Sequence, residues 1–162
     1  MQKKIANLLP IFFIALLAMG LDLLTKDLAN RNLVIGKSAE FLPGLLKLTL
    51  VTNKGAAFGL GRDQASLMAI LSAVILSTIL IWIIKKASYK FSLLEVFSYG
   101  LLLGGGFGNL FEKLTVGKVT DFFEFAFISF PVFNVADVLI DIGLGLLIIA
   151  NLSQGHKRTS HE

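Results

Sequence analysis

VTDFFEFAFISFPVFNVADVLID, residues Val119–Asp141, holds two aspartates, Asp121 and Asp137, each set in strongly apolar sequence. One continuous helix cannot join them. Pro131 interrupts it, and the phenylalanines at 122, 123, 125, 127, 130 and 133 follow no helical period. Beyond Asp137 the chain stays apolar to Asn151, broken only by Asp141. Asp137 is therefore expected just inside the outer end of a membrane helix, with Asp121 on the segment leading to it. An ionisable group at that depth is costly and points to function. Two carboxylates at one membrane face suit acid/base work on a bound water.

Composition places the whole chain in a membrane. Of its 162 residues 55% are hydrophobic and only 16% charged, where a soluble domain carries about 25%. Its mean hydropathy is +0.78. It has no cysteine, which excludes disulfides and thiol nucleophiles within these residues, and His156 and His161 both lie in the polar tail. Neither a metal site nor a histidine triad is expected, and no cofactor is implied. The net charge of +4 fits contact with anionic lipid better than with nucleic acid.

Four spans are expected, at about 5–24, 65–84, 91–110 and 133–152, in a single all-α membrane domain. Lys3 and Lys4 precede the first run. A cleaved signal peptide begins the same way, but this run is long for one and the rest of the chain is also membrane-embedded. Residues 65–84 carry no charge over 20 positions, enough to cross about 30 Å of hydrocarbon. In the third span Gly100, Gly104 and Gly108 recur every four residues, a spacing that lets helices approach closely. Glu95 is expected at the interface, without a chemical role.

Between the first two spans, Leu46, Leu48, Leu50 and Thr52 alternate with Lys47, Thr49, Val51 and Asn53, which predicts a strand with one apolar face. Pro43-Gly44 marks the turn before it. A small sheet resting on the membrane surface is expected, with 53–59 as a loop dipping inward. Segments 27–64 and 111–132 then lie outside, and 153–162 forms a disordered polar tail. Lys and Arg are nearly even between the two sides by count, but they are densest in the short segments beside the termini and at 85–90. That density favours cytoplasmic termini and puts both aspartates at the outer leaflet.

Taken in order, these residues resemble the lipoprotein signal peptidase (signal peptidase II) family. The matching blocks are Asp22…Lys26, Asn53-Lys54-Gly55-Ala56-Ala57-Phe58-Gly59, Gly108-Asn109-Leu110-Phe111-Glu112-Lys113, Gly117-Lys118-Val119-Thr120-Asp121-Phe122 and Phe133-Asn134-Val135-Ala136-Asp137. The resemblance implies an aspartyl endopeptidase of the bacterial inner membrane. Such an enzyme removes the signal peptide of a diacylglyceryl-modified prolipoprotein before the lipidated cysteine. It implies Asp121 and Asp137 as the catalytic pair, membrane lipid and a globomycin-type inhibitor as further partners, and a monomer as the expected state.

Asn53, Asn109 and Asn134 are the candidate polar supports, with satisfaction of backbone groups at span ends as the alternative. Gly55 and Lys113 join them as candidate substrate contacts. Lys26 and Asp22 are either a structural ion pair or a contact to the substrate lipid's polar part. The chain departs from the family pattern at Glu112-Lys113, where an Asp-Arg pair is usual, and lysine lacks arginine's bidentate fork. Asp141 is not a pattern position and is expected to be paired or protonated between helices. A transporter using Asp137 and Asp141 as a proton relay is the rival reading. It would want polar residues along several spans, and the second span offers only serines and a threonine. A non-catalytic assembly factor is a further rival, and it would tolerate loss of either aspartate.

Overall fold

The computed structural model describes residues 2–53 and 65–159. The element order is α1 (Gln2–Asn32), β1 (Ser38–Leu42), β2 (Leu46–Asn53), α2 (Ala65–Lys86), α3 (Leu93–Val116), β3 (Val119–Phe125) and α4 (Val135–Thr159). The expected inward loop at 53–59, apart from Asn53, lies outside the described residues.

Among the described residues three helices are long and apolar enough to cross a membrane: Lys3–Asn32, Ser66–Lys86 and Val135–Ser153. Their outward side chains are apolar, Phe13, Leu16, Ile70, Ile75, Ile148 and Ile149 among them, the reverse of a water-soluble bundle. The third expected span lies in α3, which falls short of that composition. Its glycines, Glu95 and Asn109 lower its hydropathy. The same residues follow from its position, because α3 packs against α1, α4 and, less extensively, α2. The buried cluster of Ile11, Leu76, Ile83, Tyr99 and Leu103 surrounds it.

The glycines are where its neighbours come close. A Cβ on Gly104 would stand 2.5 Å from both Ala15 O and Ala18 Cβ, and one on Gly105 2.6 Å from Ala136 O. One on Gly108 would overlap the Asp22 carboxylate.

Element ends differ from the expected spans for local reasons. α1 continues past residue 24 to Asn32, since nothing there breaks a helix. The added turns carry Ala29, buried with Leu50 and Phe122 under the sheet. α3 starts at Leu93, set by a capping box in which Ser92 accepts from the Glu95 N–H and Glu95 accepts from the Ser92 N–H. Glu95 also has a partner outside the cap. It is buried, with Lys86 Nζ 2.5 Å from Oε1. α3 ends at Val116, where Gly117 adopts the left-handed conformation (φ 74°). The polar tail is not wholly irregular: α4 carries on to Thr159, with only Gly155 to weaken it.

The sheet is antiparallel in the order β1-β2-β3. β2 matches the predicted strand. β3 had no alternating pattern to reveal it, because both of its faces carry phenylalanine and its first four residues are buried. After β3 the chain reverses, and Phe133 pairs with Phe123 in an isolated antiparallel bridge, with N–H···O distances of 2.8 and 2.9 Å.

Gly104→Val should cost about 1–3 kcal/mol or more of stability, because the added atoms meet backbone that cannot yield. Gly20→Ala, with nothing within 4 Å of its added Cβ, should cost nothing. Thermal melting in detergent reads both. Equal melting of Gly104→Val and wild type would show that α1 and α3 are not packed this closely.

Candidate active site

A cavity of about 490 Å³ opens between α3, α4 and β3. Its polar end is formed by Asn53, Asn109, Lys113, Asp121, Asn134 and Asp137, and the rest of its wall is mainly phenylalanine, proline and aliphatic side chains. The Phe123–Phe133 bridge explains how the two aspartates reach one place. It returns the chain beside β3, so that Asn134 and the first turn of α4 fall against Asp121.

Asn134 caps α4 in a reciprocal arrangement. Its Oδ1 accepts from the Asp137 N–H at 3.1 Å, and its own N–H donates to Asp137 Oδ2 at 3.0 Å. Its Nδ2 donates to Asp121 Oδ1 at 2.6 Å and to Asn109 Oδ1 at 3.1 Å. Asn109 Nδ2 donates to Asp137 Oδ1 at 3.0 Å, and Asn53 Nδ2 to Asp121 Oδ2 at 3.2 Å. Each of the four carboxylate oxygens thus accepts from a neutral amide. Neutral donors orient a carboxylate without fixing it in its charged form as a direct counter-ion would. Burial, and then the nearby charge of Asp137, push the Asp121 carboxyl up to about 6.

The cation stands one step back. Lys26, 2% exposed, puts Nζ 2.6 Å from Asn109 Oδ1, 2.8 Å from Asp22 Oδ2 and 3.4 Å from Glu112 Oε2. Asp22 Oδ1 accepts from the Ala136 N–H at the start of α4, and Glu112 accepts from the N–H and hydroxyl of Thr120 on β3. One ammonium and two carboxylates therefore join α1, α3, α4 and β3 beneath the aspartates. Asp22 and Lys26 are buried and form the ion pair that was one of their two expected readings.

Glu112 and Lys113 divide: the glutamate enters this network, while Lys113 lines the cavity, with Nζ 3.5 Å from Ser72 Oγ of α2. The roles of Glu112 and Thr120 were missed in the sequence, where only their neighbours drew attention. Gly55 lies outside the described residues. Asp141 is exposed rather than paired between helices, because α4 packs on α3 through Ala136, Ile140 and Gly143, on its other side. Among the described residues no group of His, Asp and Glu is placed to hold a metal ion.

The model of the family described as signal peptidase (SPase) II matches residues 14–153. The chain belongs to the signal peptidase II family. It is 41% identical over 154 residues to the lipoprotein signal peptidase of Sulfurihydrogenibium sp. (strain YO3AOP1), covering 91% of this chain and 92% of that relative. It is 42% identical over 147 residues to the lipoprotein signal peptidase of Gloeobacter violaceus, covering 88% and 82%. A solved bacterial membrane enzyme superposes with a TM-score of 0.80 at 31% identity, covering 90% of this chain and 88% of the other. Membership of the family makes this protein a membrane enzyme.

Lys26→Met should destabilise the fold by about 3–5 kcal/mol, because it leaves Asp22 and Glu112 buried without their cation. A melting curve in detergent tests this. A variant as stable as wild type would mean the ammonium does not hold the four elements together.

Proposed function

We propose that Asp121 and Asp137 are the catalytic pair of this aspartic-type signal peptidase, which removes the signal peptide of a prolipoprotein. The observation that carries the assignment is the amide cradle: two carboxylates in one cavity, both bonded to Asn134 and, among the described residues, with no ion pair to either. Two such groups cannot both ionise easily, and they titrate as a unit. The upward shift of Asp121, to about 6, lets it hold the shared proton up to about that pH. Asp137 then takes a proton from water as the water oxygen attacks the scissile carbonyl carbon, and Asp121 protonates the carbonyl oxygen. When the C–N bond breaks, the proton on Asp137 passes to the leaving amine, and a hydroxyl proton of the intermediate returns to Asp121.

The substrate we infer is the diacylglyceryl-modified form, cut before its lipidated cysteine. The apolar wall of Phe125, Phe130 and Val132 supports this, since each methylene it covers contributes about 0.8 kcal/mol. Membrane lipid and a globomycin-type cyclic peptide are expected to compete for that wall. We take the enzyme to be monomeric and to lie in the bacterial inner membrane, with α3 as a fourth span, both termini cytoplasmic and the cavity at the outer leaflet.

In detergent with a lipidated prolipoprotein, Asp121→Asn and Asp137→Asn should each lose cleavage by orders of magnitude, and the double variant should be little worse than either. Glu40→Gln on exposed β1 should behave as wild type. Wild-type kcat/KM should fall as pH rises past the value, near 6 or above, at which Asp121 gives up its proton. A well-folded single variant with near-wild-type turnover would refute the pair.

For topology, reporter fusions at Lys86 and Lys157 should report the cytoplasm, and fusions at Lys54 and Lys118 the outside. Lys86 outside would overturn the four-span arrangement.

A further inference from the structure

The mechanism leaves one carboxylate of the cavity unused. Asp141 stands one turn beyond Asp137 on α4, about 6 Å along the axis, and lines the same cavity. It is exposed, and among the described residues no hydrogen bond or ion pair reaches it. It lies inside Val135–Ser153, a segment apolar enough to span the membrane, where a bare carboxylate is costly. Lys113, which also lines the cavity, reaches toward Ser72 on α2.

The surroundings of Asp141 form a track. Asp137, Val138, Asp141, Ile142 and Gly145 fall on one side of α4, opposite the side that packs on α3. Val138 is 36% exposed and Ile142 49%. Nothing lies within 4 Å of where a Cβ on Gly145 would stand, so the strip stays open below the cavity.

A signal peptide must follow this direction. Its cleavage point is at the outer end of α4, and the peptide continues from there into the membrane. Near the scissile bond it must be unwound to present a carbonyl, and polar groups in that stretch lose their helical or aqueous partners. An unpartnered donor and an unpartnered carboxylate at the same depth satisfy each other.

We propose that Asp141 is a specificity-determining residue. It accepts a hydrogen bond from a hydroxyl side chain of the signal peptide and so favours substrates carrying one at that position. The proposal rests on the assignment of Asp121 and Asp137 to the chemistry. At about 3.3 Å per extended residue, 6 Å corresponds to two residues, which places the hydroxyl two or three positions before the lipidated cysteine.

The test uses matched lipidated prolipoproteins carrying threonine or its near-isostere valine at each of those two positions, cleaved by the full-length enzyme in detergent. Wild type should favour threonine at one of them by about tenfold or more in kcat/KM, as a hydrogen bond to a charged group allows. In Asp141→Leu that ratio should fall to about one, and Asp141→Asn, whose amide oxygen still accepts, should keep part of it. The same ratio in Asp141→Leu as in wild type would overturn the proposal, as would a wild type indifferent to threonine at both positions. A folded Asp141→Leu that cleaves neither substrate would also overturn it, by moving the residue into catalysis. Failure of the catalytic assignment itself shows separately, as cleavage by Asp121→Asn or Asp137→Asn.

Discussion

A carboxylate in apolar surroundings is held only if its oxygens are bonded, and the kind of donor decides what it can do. This molecule uses both kinds within a few ångströms. Asp22 and Glu112 face an ammonium, and Thr120 and the Ala136 N–H take their remaining oxygens. That set ties α1, α3, α4 and β3 together. Among the described residues, Asp121 and Asp137 are held by amides instead. Asn109 is the hinge between the two sets, accepting from Lys26 on one side and donating to Asp137 on the other. The structural ions fix the positions of the amides, and the amides fix the two carboxylates of the cavity.

Helix α3 shows how membrane composition misleads when it is read for greasiness alone. A helix that meets lipid on most sides has to be apolar throughout. One that meets other helices does better with small residues, because they let backbones approach. Gly100, Gly104 and Gly105 lower the hydropathy of α3 and are also why α1 and α4 fit against it. α2 and α4 both pack on α3, with no comparable contact to each other.

Some of this was legible in the sequence. The two aspartates stood out because nothing apolar explains them, and β2 stood out because its alternation is clean. The capping box at Ser92 and Glu95 was there to be read and was passed over in favour of an interfacial glutamate. β3 was hidden for a physical reason, since a strand packed on both faces has no polar phase. The partners of Lys26 were hidden for another. Its i, i+4 neighbour Asp22 can be seen in sequence, but Glu112 and Asn109 come from a helix far along the chain. Their approach depends on Gly108, where any side chain would displace the Asp22 carboxylate. The exposure of Asp141 required knowing which side of α4 meets α3, and the small residues Ala136 and Gly143 carry that information.

The pairing of Phe123 with Phe133 closes the chain before either amide-held aspartate is reached from the loop side. Residues 127–132 therefore lie beyond a sealed neck. Their length and sequence can drift without changing the separation of the two carboxylates, while Phe130, Pro131 and Val132 still wall the cavity. The fold separates an element free to diversify from one that cannot. On the function proposed above, the wall that meets a substrate can be remodelled while the chemistry stays untouched.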